Sequence, residues 1–145
     1  GVDTATIELE LTESWMMQDL AQSAAALQSL KALGVRIAID DFGTGYSSLA
    51  YLKQFPLNTL KIDKAFVDDM NTARGRNMVD TIVTIAHNLS LTVVAEGVET
   101  REQVVCLRLA GCDIAQGYHF SRPLTAAQLS EYPPFVNSVN ITCEQ

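Results

Sequence analysis

Val35-Arg36-Ile37-Ala38-Ile39-Asp40-Asp41-Phe42-Gly43-Thr44-Gly45-Tyr46-Ser47-Ser48-Leu49 decides the fold. Its opening, Val35–Ile39, is short, β-branched and largely apolar, the composition of a strand covered by helices. It then breaks on two adjacent aspartates that a buried sheet excludes, and enters a loop rich in Gly, Thr and Ser. The same order recurs along the chain. Ile7–Leu11 predicts a strand that ends in Glu10 and is followed by Thr12-Glu13. Thr59–Ile62 carries Lys61 and runs into Asp63, Thr92–Ala95 runs into Glu96, and Cys112–Ala115 runs into Gln116.

Helical patterns separate these runs. Trp15–Leu33 places Met16, Leu20, Leu27 and Leu30 on one stripe, with Ser14 to cap it and Gly34 to end it. Ser48–Phe55 predicts a short helix stopped before Pro56, and Arg76–Leu89 a longer one with Met78, Ile82, Ile85 and Leu89 at helical spacing. Thr100-Arg101-Glu102-Gln103 and Thr125-Ala126-Ala127-Gln128 have the pattern of capping boxes, opening helices that end near Leu109 and Ser130. Strands alternating with helices, without a hairpin signal, predict βαβ units and a parallel sheet. The expected fold is α/β, a partial (β/α) TIM-type barrel of about five strands over residues 1–132. Residues 133–145 have no period and form an unassigned tail.

In a parallel barrel all the C-terminal strand ends lie at one mouth, where active sites are built. Glu10, Asp40, Asp41 and Glu96 would crowd carboxylates there, and their mutual repulsion calls for cations. Oxygen-only donors favour Mg²⁺, Mn²⁺ or Ca²⁺ over thiolate-seeking metals. The Asp40-Asp41 pair can bridge or divide two metals, which would clamp the attacking and leaving oxygens of a phosphodiester displacement. Lys61 adds a cation that can steady developing negative charge. The glycine-rich loop can approach a ligand closely, but it lacks the lysine of a P-loop, which excludes that mode of nucleotide triphosphate binding.

The totals agree with that reading. The 145 residues carry a net charge of −7, which argues against a grip on a DNA or RNA duplex and against an anionic membrane surface. Cys106, Cys112 and Cys143 form neither a zinc pattern nor a disulfide framework, so a reduced, cytoplasmic setting is expected. No apolar run has the roughly 18–20 residues of a membrane span. The start, Gly1-Val2-Asp3-Thr4, reads as an interior piece of a longer protein, whose sensor or membrane-anchoring segments would lie elsewhere. Plainer roles fit other polar residues. Glu8 reads as a solvated or strand-end carboxylate, Asp63 as a residue fixing a strand end, and Asp68-Asp69 as a solvated turn. His87 and His119 read as structural or surface residues and Met16-Met17 as core. Arg122 reads equally as a phosphate contact or a structural pairing.

The combined motifs resemble those of the EAL family. Glu8-Leu9-Glu10-Leu11-Thr12-Glu13-Ser14 is similar to its E-L-T-E segment, and Asp40–Leu49 to its D-D-F-G-T-G loop. Lys61-Ile62-Asp63, Val94-Ala95-Glu96-Gly97-Val98-Glu99-Thr100, Gln116-Gly117-Tyr118 and Phe120-Ser121-Arg122-Pro123-Leu124 follow in family order, from Ile7 to Leu124. The resemblance implies metal-dependent hydrolysis of cyclic di-GMP to linear pGpG with Mg²⁺ or Mn²⁺. It implies Glu10 and Asp40 as ligands of one metal, and Asp41 and Glu96 as ligands of a second, with Asp40 bridging. Lys61 would contact the attacking water, Glu96 would also act in a base-like role, and Gln116 would orient substrate or metal-bound water. Glu13 would anchor the flexible loop of Gly43, Thr44 and Gly45, while Glu99 and Asp63 would support the ligands from behind.

The E-x-L segment and an upstream Asn ligand of the family are absent from these residues. The isolated chain is therefore expected to have little activity, and to form a homodimer or to be completed by an N-terminal barrel portion. A cyclic di-GMP receptor or interaction domain that has lost catalysis is the alternative. A metal-dependent barrel lyase or isomerase with Lys61 as base is a third reading, which the D-D-F-G-T-G loop disfavours.

Overall fold

Five short strands line up in sequence order, β1 Glu8–Thr12, β2 Arg36–Phe42, β3 Thr59–Ile62, β4 Thr92–Ala95 and β5 Ile114–Ala115, each parallel to the next. The computed structural model describes residues 1–43 and 52–132. The helices are α1 Glu13–Gln18, α2 Leu20–Ala32, α3 Lys64–Asp68, α4 Ala73–Asn88, α5 Arg101–Leu109 and α6 Ala126–Glu131. The predicted helix over Ser48–Phe55 falls largely outside the described residues, as do the tail and most of the glycine-rich loop. Among the described residues the sheet is not closed, since β1 pairs only with β2 and β5 only with β4. The architecture is that of a partial TIM-type barrel.

Alternation gives the sheet two unlike faces. Ile37, Ile39, Leu60, Ile62, Val93 and Ala95 are fully buried in or against the core. Helices supply the other half of this core through Leu27, Val67, Val79, Val83 and Leu107. The opposite face, the inside of the barrel, carries Glu8, Glu10, Arg36, Thr59 and Lys61, which bond to one another across the strands.

Several expectations need correction. The single helix expected over Trp15–Leu33 is two helices. Asp19 is extended (φ −145°, ψ 99°) and accepts from Gln22 N, capping α2 and ending α1. Thr12 caps α1 in place of Ser14, by accepting from Trp15 N. The helix expected to start at Arg76 starts at Ala73, where Thr72 accepts from Gly75 N. Its buried stripe is Val79, Ile82, Val83 and Ala86, and Met78 lies exposed at its margin. Asp68 and Asp69 are not a bare turn: Asp68 ends α3 and Asp69 opens a 3-10 turn. The strand expected from Cys112 pairs only over Ile114–Ala115. Both capping boxes form as the sequence predicts.

Candidate active site

The C-terminal ends of β1 to β4 bring Glu10, Asp40, Asp41, Lys61, Asp63 and Glu96 to one mouth. Lys61 is its electrostatic centre. Its Nζ lies 2.6 Å from Glu10 Oε1 and 2.6 Å from Glu96 Oε1. The lysine is only 7% exposed, so its charge survives there through those partners. Burial pulls the ammonium pKa down, but hydrogen bonds to Glu10 and Glu96 outweigh burial and the net shift is upward.

Asp40 and Asp41 share this mouth because β2 carries a bulge. Ile39 pairs with Leu60 and Phe42 with Ile62, so Asp40 and Asp41 together oppose Lys61. Asp41 takes the left-handed conformation (φ 54°), which aspartate tolerates better than most side chains, and its N–H donates to Asp40 Oδ1 at 2.9 Å. Desolvation, then the charges of Asp40 and Asp63 and a hydrogen bond with Asp63, raises the Asp41 pKa. Asp63 also accepts from Ala65 N at 2.8 Å and so caps α3, which fits its expected part at the strand end.

Glu13 meets the chain at Gly43, just past the end of β2, where the glycine-rich loop begins. It is buried, and its Oε2 accepts from Gly43 N at 3.0 Å. Its Oε1 meets no hydrogen-bond partner among the described residues. Gly43 has φ +94°, and a Cβ there would press on the ring of Phe66, so both backbone and space require glycine. Thr44 and Gly45 lie outside the described residues. Gln116 anchors the far side: its N–H donates to Ala95 O at 2.8 Å and its carbonyl accepts from Val98 N at 3.0 Å. A cavity of about 390 Å³ opens beside Glu96, lined also by Asp63, Lys64, Glu99, Gln116 and Tyr118. Glu99 pairs with Lys64 at 2.9 Å.

Several polar contacts join residues far apart in the sequence. Glu8 is neither alone nor merely solvated, because its Oε2 accepts from Arg36 Nε at 3.1 Å and from Thr59 Oγ1 at 2.7 Å. Only the strand register reveals that these residues, 28 and 51 positions away, are neighbours. His87 pairs with Asp113 at 2.9 Å, His119 meets the Phe120 ring edge-on, and Arg122 stacks over Tyr118 at 4.9 Å. These contacts fit structural roles. Met16 is core, as expected.

A parallel α/β barrel portion with an acidic mouth at its C-terminal strand ends is the class that fold and site define. Residues 1–123 match the family described as EAL domain, and the chain belongs to that family. It is 47% identical over 133 residues to the cyclic di-GMP phosphodiesterase NbdA of Pseudomonas aeruginosa, covering 91% of this chain and 17% of that protein. The PaMucR phosphodiesterase, solved as a c-di-GMP complex, superposes with a TM-score of 0.85 at 44% identity, over 88% of this chain and 52% of that one. Klebsiella pneumoniae BlrP1, solved with manganese and cyclic di-GMP, gives a TM-score of 0.78 at 36% identity, over 84% of this chain and 31% of that one. The chain thus spans about half of the solved PaMucR chain and a small part of NbdA's length.

The mouth suits a divalent ion in donor chemistry, since its acidic groups offer only hard oxygens. Among the described residues no three His, Cys, Asp or Glu side chains converge closely enough to hold one. The Lys61 ammonium instead stands between Glu10 and Glu96. Among the described residues no helix is long and apolar enough to cross a membrane.

Proposed function

We propose that the protein carrying this chain is a metal-dependent phosphodiesterase that hydrolyses cyclic di-GMP to linear pGpG. The observation that carries the reading is a buried Lys61 held by Glu10 and Glu96 beside the bulged Asp40-Asp41 pair, in a chain of the EAL family. Glu10, Asp40, Asp41 and Glu96 would hold Mg²⁺ or Mn²⁺, in a two-metal site when the barrel is complete. Such ions supply charge that acidifies water and polarises the phosphodiester.

The chain's own residues set the rest. Water adds its oxygen to phosphorus as the bond from phosphorus to the ribose 3′ oxygen breaks, and the departing oxygen takes a proton from solvent, leaving a 5′ phosphate and a 3′ hydroxyl. Glu96, hydrogen-bonded to Lys61, would take the proton of that water. Lys61 stabilises negative charge gathering on the phosphoryl oxygens, from a buried position where such help is strongest. Gln116 lines the adjoining cavity and orients the substrate, while Glu13 holds Gly43 and with it the root of the loop. The open β1 and β5 edges favour association, either as a homodimer or with an N-terminal barrel portion, and light scattering would detect it.

Hydrolysis is tested by incubating the full-length protein with cyclic di-GMP and Mn²⁺ and separating the nucleotides by chromatography. pGpG should form, chelation should stop it, and Asp40→Asn should abolish it. Tight binding of cyclic di-GMP without turnover at any divalent concentration would replace this reading with that of a receptor. The 145-residue chain alone is expected to show little turnover.

A further inference from the structure

Lys64 opens α3, three residues after Lys61, and lies outside the set of residues assigned to the reaction. Its Nζ donates to Asp68 Oδ1 at 3.0 Å, to Glu99 Oε1 at 2.9 Å and to the Gly97 carbonyl at 3.5 Å. Its aliphatic stem lies directly on Gly97. That residue has φ +66°, and any Cβ there would collide with Lys64 Cβ, Cγ and Cδ. Gln103 completes a ring. Its Oε1 accepts from Glu99 N at 2.7 Å and from Thr100 N at 3.0 Å, while its Nε2 donates to Val67 O and Asp68 Oδ1, both at 3.4 Å. The end of α3 and the start of α5 are thus joined through two side chains, and the turn between them and the mouth begins at Glu96.

We infer that Lys64 is a positioning residue: it locks the Glu96–Thr100 turn onto α3, so that the Glu96 carboxylate is held on Lys61. The consequence for turnover rests on the phosphodiesterase reading, whereas the lock itself does not. Lys64 is 45% exposed, and a solvent-exposed ion pair contributes little to global stability. The value of this one is geometric. A displacement of about 1 Å at a reacting group can cost on the order of 10²-fold in rate, and Gly97 by itself would leave the turn its widest backbone freedom.

The test compares the full-length wild type with Lys64→Met, which keeps the stem and removes the charge, with Lys64→Arg, and with Glu99→Gln. Amide hydrogen exchange in Glu96–Thr100 should quicken about tenfold in Lys64→Met and in Glu99→Gln, with β3 and α4 unchanged and with Lys64→Arg close to wild type. With Mn²⁺ and cyclic di-GMP, kcat should fall about tenfold in the same two variants while KM stays within about twofold. Unchanged exchange in Lys64→Met overturns the inference whatever turnover does. Faster exchange with full kcat overturns it too, because the turn would then not govern Glu96. Faster exchange in a protein whose wild type shows no turnover upholds the lock and removes the phosphodiesterase reading instead.

Discussion

The inner face of the sheet carries two polar clusters, one at each end of the strands, and they differ in charge balance. At the floor, Arg36 faces Glu8, and Thr59 bonds to both. Cation and anion match and the hydroxyl joins them, so the cluster is electrically complete. At the mouth, Lys61 faces both Glu10 and Glu96, with Asp40, Asp41 and Asp63 close by. The same kind of strand surface therefore does structural work at one end and holds surplus negative charge at the other. Surplus charge in a partly desolvated cluster costs stability until a cation relieves it.

Variants at the two ends should separate these roles. The largest effect is expected at Lys61. Lys61→Met in the full-length protein should lower kcat for cyclic di-GMP by about 10²–10³, the cost of losing a buried donor to developing charge. Steady-state kinetics would show it, and near wild-type turnover would remove Lys61 from the chemistry. Next is the response to metal. Mn²⁺ at a hundredfold excess over its dissociation constant should stabilise the full-length protein by about 2.7 kcal/mol. In thermal melts Glu96→Gln should lose most of that gain and Thr59→Val should keep it. Equal loss in both would erase the distinction between mouth and floor.

Smaller effects belong to the floor. Thr59→Val keeps the shape and deletes the hydroxyl of a buried residue, and should cost about 1 kcal/mol in denaturant unfolding. Turnover should stay near wild type. Arg36→Met removes a half-exposed ion pair and should cost below about 1 kcal/mol, a difference that fades at high salt.

The smallest effect is a pH dependence at the same end of the sheet. Burial raises the Asp113 pKa, but hydrogen bonds from Val93 N and His87 outweigh it and leave the carboxyl below the ordinary aspartate range. A depressed carboxylate pKa stabilises the fold above the ordinary aspartate value, and that contribution is lost as pH falls through the lowered one. Acid titration of Asp113→Ala should therefore lack a small loss of stability that the wild type shows at the acid end. Superimposable acid curves would refute it.

The mouth was legible in the sequence because each apolar run meets a charged or amide residue near its end, a pattern that survives without any tertiary information. Strand order was legible for the same reason, since short runs separated by helical patterns leave parallel pairing as the simple solution. Three features were not legible. The break at Asp19 is set by one extended residue inside a continuous apolar stripe, which conceals it. Five residues of α3 are too few to show a helical period. The Lys64 ring depends on Glu99, 35 positions later, and only the alignment of β3 beside β4 makes the two neighbours.

The bulge at Asp40-Asp41 has a consequence for parity. Up to Ile39 the odd-numbered residues of β2 point to the helices, but Phe42, an even one, is buried in that same core opposite Ile62. The extra residue works like a shifted reading frame. It switches which side chains are inside just as the strand leaves the mouth, so one short segment supplies two consecutive acids to the barrel interior and then an aromatic anchor to the outer core. Deleting either aspartate would restore the simple alternation and leave Phe42 in the outer core, so the loss would be one acid at the mouth.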